Sequence, residues 1–279
     1  MLIRNPLTLL SCIALAGCAA SSRTGRQQVV VPTGVSEVYS EVDLQMKLAS
    51  ASPPTEEQSE DQCLLFDYQR QIRKLMERMV ATAGRLYPDL EERGIKFRFE
   101  AAPSAQAGVL SNAGGAIVIL QGTQNLRLPD SVLVFIVARE MGHVIGRHHD
   151  ENSAATVMFS VLAQVLFPAA ALVKGLSTIL PSTVAGTAVT ASAVSYIGAS
   201  ALRTTYREDH LREAEQIAFT LMTELGWDLY EVAAEASSVT VKGGDATWME
   251  ELRQSLTRLD QLAHGPRRRP FRVQPGTSG

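Results

Sequence analysis

The sequence predicts an α+β fold, mostly helical with a small β-sheet. Apolar residues recur at helical spacing over 63–86 and 206–226, whereas two short segments, "KFRFEAA" and "GGAIVILQG", read as strands. At 46% hydrophobic and 20% charged over 279 residues, the chain suits one globular domain with flexible ends.

The start, "MLIRNPLTLLSCIALAGCAASS", has a basic residue, an apolar run from Pro6 to Ala16, and then Leu15-Ala16-Gly17-Cys18. The run is too short for an ordinary membrane span, and small residues before a cysteine suit a signal-cleaving active site. Residues 1–17 therefore resemble a bacterial lipoprotein signal peptide, with Cys18 as the lipidated residue; an ordinary secretory signal is the other reading. Ala19 after the cysteine, by the habit of such lipoproteins, favours the outer membrane, facing the periplasm. Cys12 leaves with the signal and Cys18 takes lipid, so Cys63 has no cysteine to pair with inside the chain. Removing residues 1–17, whose only charge is Arg4, takes the net charge from −3 to −4. That balance excludes a basic field for nucleic acid.

Residues 18–62 are rich in Ser, Thr, Gln, Glu and Pro and read as a lipid-anchored flexible linker, with a short helix around Val38 to Leu48. Residues 63–264 form the domain and 265–279 a flexible tail. Helix 63–86 stops at Tyr87-Pro88. The strands follow, then a turn or short helix from Thr123 to Pro129, with Asp130 or Ser131 as N-cap of the next helix. Residues 152–173 and 175–202 carry no charge. They read as helices of the domain, as a hairpin on the membrane, or as a true span. Gly226 ends helix 206–226, and helices near Leu229 to Ala236 and Ala246 to Leu262 complete the chain.

The chemistry lies in "VLVFIVAREMGHVIGRHHD", residues 132–150. Two histidines four apart on a helix share a face and can hold one zinc ion, with the glutamate of His-Glu-x-x-His as general base. Here Glu140 takes the base position and His143 one ligand position, but Arg139 stands at the other. A guanidinium offers donors only. Beside a divalent ion at about 4 Å it would cost roughly 8 kcal/mol at an effective dielectric of about 20.

Residues 108–226 resemble the zinc metallopeptidase family of the CAAX prenyl protease, HtpX and BepA-like envelope lipoproteins. The pieces, in order, are "GGAIVILQG", "VAREMGHVIGRH", the uncharged stretch to 202 and "EDHLREAEQIAFTLMTELGWD". The resemblance implies a zincin-like peptidase domain with a degenerate Arg-Glu-x-x-His site. It places the third zinc ligand at Leu211 and the supporting acid at Glu215, so Arg139 and Leu211 are lost ligand positions and His143 is a vestigial one. No metal is expected, and Arg139 should pair with Glu140 or Glu215.

His148 lies about 140° from His143 on a continuous helix and should face elsewhere. His210 should lie at the surface, and Arg147-His148-His149 should be a solvated helix end. The resulting reading is an envelope lipoprotein, catalytically inactive or impaired, that binds peptides, unfolded proteins or outer-membrane proteins in quality control. Its membrane contact is the lipid on Cys18. By resemblance, an extended peptide would lie against strand 115–120. The alternative is an active zinc metalloendopeptidase with a reorganised metal site, using residues such as His148, His149, His210 or Glu208.

Overall fold

The computed structural model describes residues 18–22, 25–53, 62–166, 207–239 and 246–264. Its elements are β1 (Cys18–Ser21), β2 (Gln27–Val30), α1 (Thr33–Ser50), α2 (Gln62–Leu86), α3 (Asp89–Glu92), β3 (Arg98–Ala102), β4 (Val109–Ser111) and β5 (Ala116–Leu120). A 3-10 helix (Gln121–Leu126) leads into α4 (Asp130–Ile145) and α5 (His148–Leu166). Helix α6 spans 207–224, followed by α7 (Leu229–Ser237) and α8 (Ala246–His264).

Strand order in the main sheet is β3-β5-β4, with β5 parallel to β3 and antiparallel to β4. All five residues of β5 are buried, as a strand covered on both faces must be. Ile117 and Ile119 join Phe99, Val109, Met76 and Met79 in the principal core, while Ala116 and Val118 meet Leu44 of α1 on the other face. Helix α4 crosses this core, buried at nearly every position. The guanidinium of Arg93 donates to the carbonyls of Val144 (2.9 Å) and Ile145 (3.4 Å), satisfying acceptors that a helix end leaves open.

Four expectations need correction. Strand 115–120 cannot receive a peptide by edge pairing, because it is the central strand; the three-residue β4, too short to read by alternation, occupies the edge. Residues 18–62 are not wholly a linker, since Ser36 and Leu44 bury one face of α1. Asn112 Nδ2 donates to Glu41 at 2.6 Å, and Ala113 N–H donates to Ser40 Oγ at 2.9 Å. The N-cap of α4 is Pro129, without a side-chain cap bond; Asp130 instead accepts from Gln71 (3.0 Å) and Ser131 donates to Glu235. The helix near Val38 to Leu48 is longer, Thr33–Ser50. The helices expected over 63–86 and 206–226, and near Leu229 to Ala236 and Ala246 to Leu262, keep their order and near-expected limits, and Gly226, at φ 84°, closes α6.

Residues 1–17, the tail 265–279 and most of the uncharged stretch, 167–206, lie outside the described residues. Among the described residues no helix is long and apolar enough to cross a membrane.

Helices α4 and α6 meet where Gly142 lacks a side chain: a Cβ there would lie 2.3 Å from the carbonyl oxygen of Ala214. Gly142→Ala should therefore force the two helices apart and cost about 1–3 kcal/mol in denaturant unfolding. An unchanged midpoint would show that the contact is soft.

Candidate functional site

Arg139 leaves α4 toward the protein interior and is 1% exposed. Its Nη2 donates to Glu140 Oε1 at 3.3 Å, and its Nη1 donates to Ser255 Oγ on α8 at 2.9 Å. Ser255 passes the bond on, donating to Glu215 Oε1 of α6 at 2.5 Å. Glu215 is then clasped by Arg258, whose Nε and Nη2 each donate at 2.7 Å. Two cations and two carboxylates alternate along the chain of contacts, so buried charge is met by opposite charge. The Arg139–Glu140 pair anticipated from sequence is present, and the link to Glu215 runs through a serine that no sequence pattern marked.

Glu140 also accepts from Ser111 Oγ at 2.9 Å. Burial pushes its carboxyl above the ordinary value, against the opposing pull of Arg139 and Ser111. Ser111 in turn lies 3.0 Å from His149 Nε2. Its single proton goes to the carboxylate, so His149 Nε2–H is the donor to Ser111.

Sequence spacing misplaced the histidines. Helix α4 stops at Ile145, Arg147 turns into the left-handed region at φ 63°, and α5 starts afresh at His148. The 140° separation holds only on an unbroken helix. After the corner His148 folds back, its Nδ1 2.9 Å from His143 Nδ1. Its ring stacks on His210 at 4.3 Å, and His148 and His210 are 1% and 4% exposed, neither solvated nor superficial. Gly146 was the available sign of the break.

Around these rings stand Glu213 and Glu151. His148 Nε2 faces Glu213 Oε2 at 3.4 Å, and His210 Nε2 faces Glu151 Oε2 at 2.9 Å. With Glu213 accepting, His148 carries its proton on Nε2, and Nδ1 accepts from His143 Nδ1–H. Arg26, from the segment before β2, donates to Glu151 through Nη1 (2.6 Å) and Nη2 (2.8 Å), and lies 3.8 Å from Glu213. Gln28 donates to the carbonyl of Gly146 at 3.0 Å. Burial raises the Glu151 carboxyl, but hydrogen bonds from His210 and Arg26 outweigh it and hold it at about 2. Nothing in the sequence linked Arg26 or Gln28 to residues more than a hundred positions away.

Zinc does not fit this set. Leu211, at the third ligand position, is buried (5% exposed) and has no donor atom. The ring nitrogens diverge, one onto another imidazole and others onto separate carboxylates, instead of converging on a point. Among the described residues no group of three or more His, Cys, Asp or Glu side chains is arranged to hold a metal ion.

A model of Peptidase family M48 matches residues 67–258, which takes in the sheet, α4 and the helices bearing Glu213, Glu215 and Ser255. No curated protein and no solved structure matches the chain.

Burial holds His143 and His148 well below their ordinary value, reinforced by His148 and His210 respectively. It also takes His149 down to about 4, with Lys47 adding to the effect. Each is neutral in the fold but takes a proton when unfolded below pH about 6.5, so unfolding consumes protons and stability falls as pH drops from about 6.5 toward 4. Thermal melts across this range should show a falling midpoint, with a shallower slope for His149→Gln. A flat profile would contradict the buried, neutral assignment.

Proposed function

The chain belongs to Peptidase family M48, and on that premise we propose that it is an envelope lipoprotein that binds extended protein segments without zinc-dependent cleavage. The observation carrying this reading is Arg139: a buried permanent cation holds a ligand position and bonds directly to the glutamate in the base position. Zinc in such a motif acidifies the attacking water, and without it Glu140 has only ordinary water to act on. Both oxygens of Glu140 are also already engaged, one by Arg139 and the other by Ser111.

Binding has no such requirement. In the antiparallel register of β4 with β5, Val109 and Ser111 turn their N–H and C=O groups away from β5. An extended peptide can pair along that edge beside Glu140, supplying main-chain bonds whatever its sequence. Such promiscuity suits unfolded or outer-membrane protein clients. Lipid on Cys18 would hold the protein at the outer membrane, facing the periplasm.

Purified wild-type protein should contain no stoichiometric zinc by elemental analysis. Any casein cleavage should be indifferent to chelator and to Glu140→Gln. The double variant Arg139→His/Leu211→Glu, which restores two donor groups beside His143, should gain zinc. Wild-type cleavage abolished by both chelator and Glu140→Gln would establish a working metalloendopeptidase instead. Cys18→Ser should separately abolish labelled palmitate incorporation and move the protein out of the membrane fraction; unchanged labelling would remove the lipoprotein assignment.

A further inference from the structure

At the opposite border of the main sheet from β4, strand β3 has an open edge of its own. In the parallel register of β3 with β5, Arg98 N–H donates to the Gly115 carbonyl at 3.0 Å. Alternate residues Phe97, Phe99 and Ala101 therefore direct their main-chain groups outward, and no hydrogen bond meets those of Phe99 or Ala101 among the described residues. Beside this edge runs a groove of about 620 Å³ between β3 and α2, walled by Gln69, Arg73 and Glu77. Unpaired edges of this kind invite another strand.

The side chains identify which strand. Arg98 and Glu100 are exposed, opposite in charge, two positions apart on one face, and in no ion pair among the described residues. Place a second β3 antiparallel to the first, with the two-fold axis at Phe99. Phe99 then meets Phe99 of the second copy, and Phe97 meets Ala101, so the outward N–H and C=O groups fall opposite one another as hydrogen-bonded pairs. In the same register Arg98 meets Glu100 of the second copy, and Glu100 meets Arg98. On the groove's other wall, Arg73 and Glu77 stand one helical turn apart with opposite signs, also exposed. Antiparallel helices across the same axis would bring each toward the other's counterpart. A residue set that complements itself under two-fold rotation is the mark of an isologous interface.

We propose that β3 is a homodimer edge, joining two copies into one continuous six-stranded sheet about a two-fold axis at Phe99. This interface is independent of the peptidase-like site and of any client bound at β4. The charges give the pairing its register, because sliding one strand to set Arg98 against Arg98 juxtaposes like charges.

The test uses the full chain in detergent, with protein mass measured by sedimentation velocity. Wild type should dimerise. Arg98→Glu alone and Glu100→Arg alone should each weaken dimerisation at least about tenfold, since each replaces two attractive cross-strand pairs by two repulsive ones. Mixing the two variants should restore a heterodimer, because every cross-strand pair is then of opposite sign. The double swap Arg98→Glu/Glu100→Arg should dimerise like wild type. Both side chains are exposed, and circular dichroism melts would verify folding. A monomeric wild type, a dimer indifferent to the single reversals, or a mixture that stays monomeric would each overturn the proposal. So would a monomer that takes up an added extended peptide at β3.

Discussion

A guanidinium taken almost completely out of water must be met by acceptors, and the arrangement that meets Arg139 organises much of this molecule. The bonds run from α4 to α8 and then to α6, through Ser255, Glu215 and Arg258. Helix α6 can approach only because Gly142 presents bare backbone to Ala214. The polar network is thus embedded in a close helix crossing and surrounded by apolar neighbours. Removing one partner from such a buried set typically costs about 3–5 kcal/mol, because it strands the remaining charge. Hydrogen bonds between side chains thus tie these three helices to one another.

A second feature shapes the neighbouring cluster. The corner at Gly146 and Arg147 redirects the chain within two residues, and the ring of His148 fills the room beside it. A Cβ at 146 would lie 2.7 Å from His148 Nε2. Arg26, Gln28 and Ser36 then secure the start of α5 from outside, Ser36 donating to Asp150 at 2.6 Å. Three stacked or bonded imidazoles, two carboxylates and an arginine therefore form a compact polar body directly behind the motif helix.

Most of the helices were legible because their apolar stripes are long and their stops are marked by Tyr87-Pro88 and Gly226. Strands β3 and β5 were legible for similar reasons, but β4 has only three residues and no usable alternation. The Arg139–Glu140 pair could be foreseen because the two residues are adjacent and oppositely charged. Ser255 and Arg258 could not, since a polar residue on a helix is ordinarily solvated and only packing shows which ones turn inward. His148 and His210 were misread for a definite reason: angular arithmetic assumed a continuous helix through a glycine that ends it. The N-terminal segment was misread on composition, which reported its polar face and overlooked the stripe that Leu44 and Leu48 press onto the sheet.

The order of strands separates two kinds of contact. Since β3 and β4 are opposite borders with β5 between them, joining two molecules at β3 leaves both β4 borders exposed at the far ends. With strands about 4.8 Å apart, those borders would lie about 24 Å from each other. An unfolded polypeptide could bridge that span with roughly seven or eight extended residues. Two weak grips on one client would then act as bivalent capture, holding it far longer than either alone.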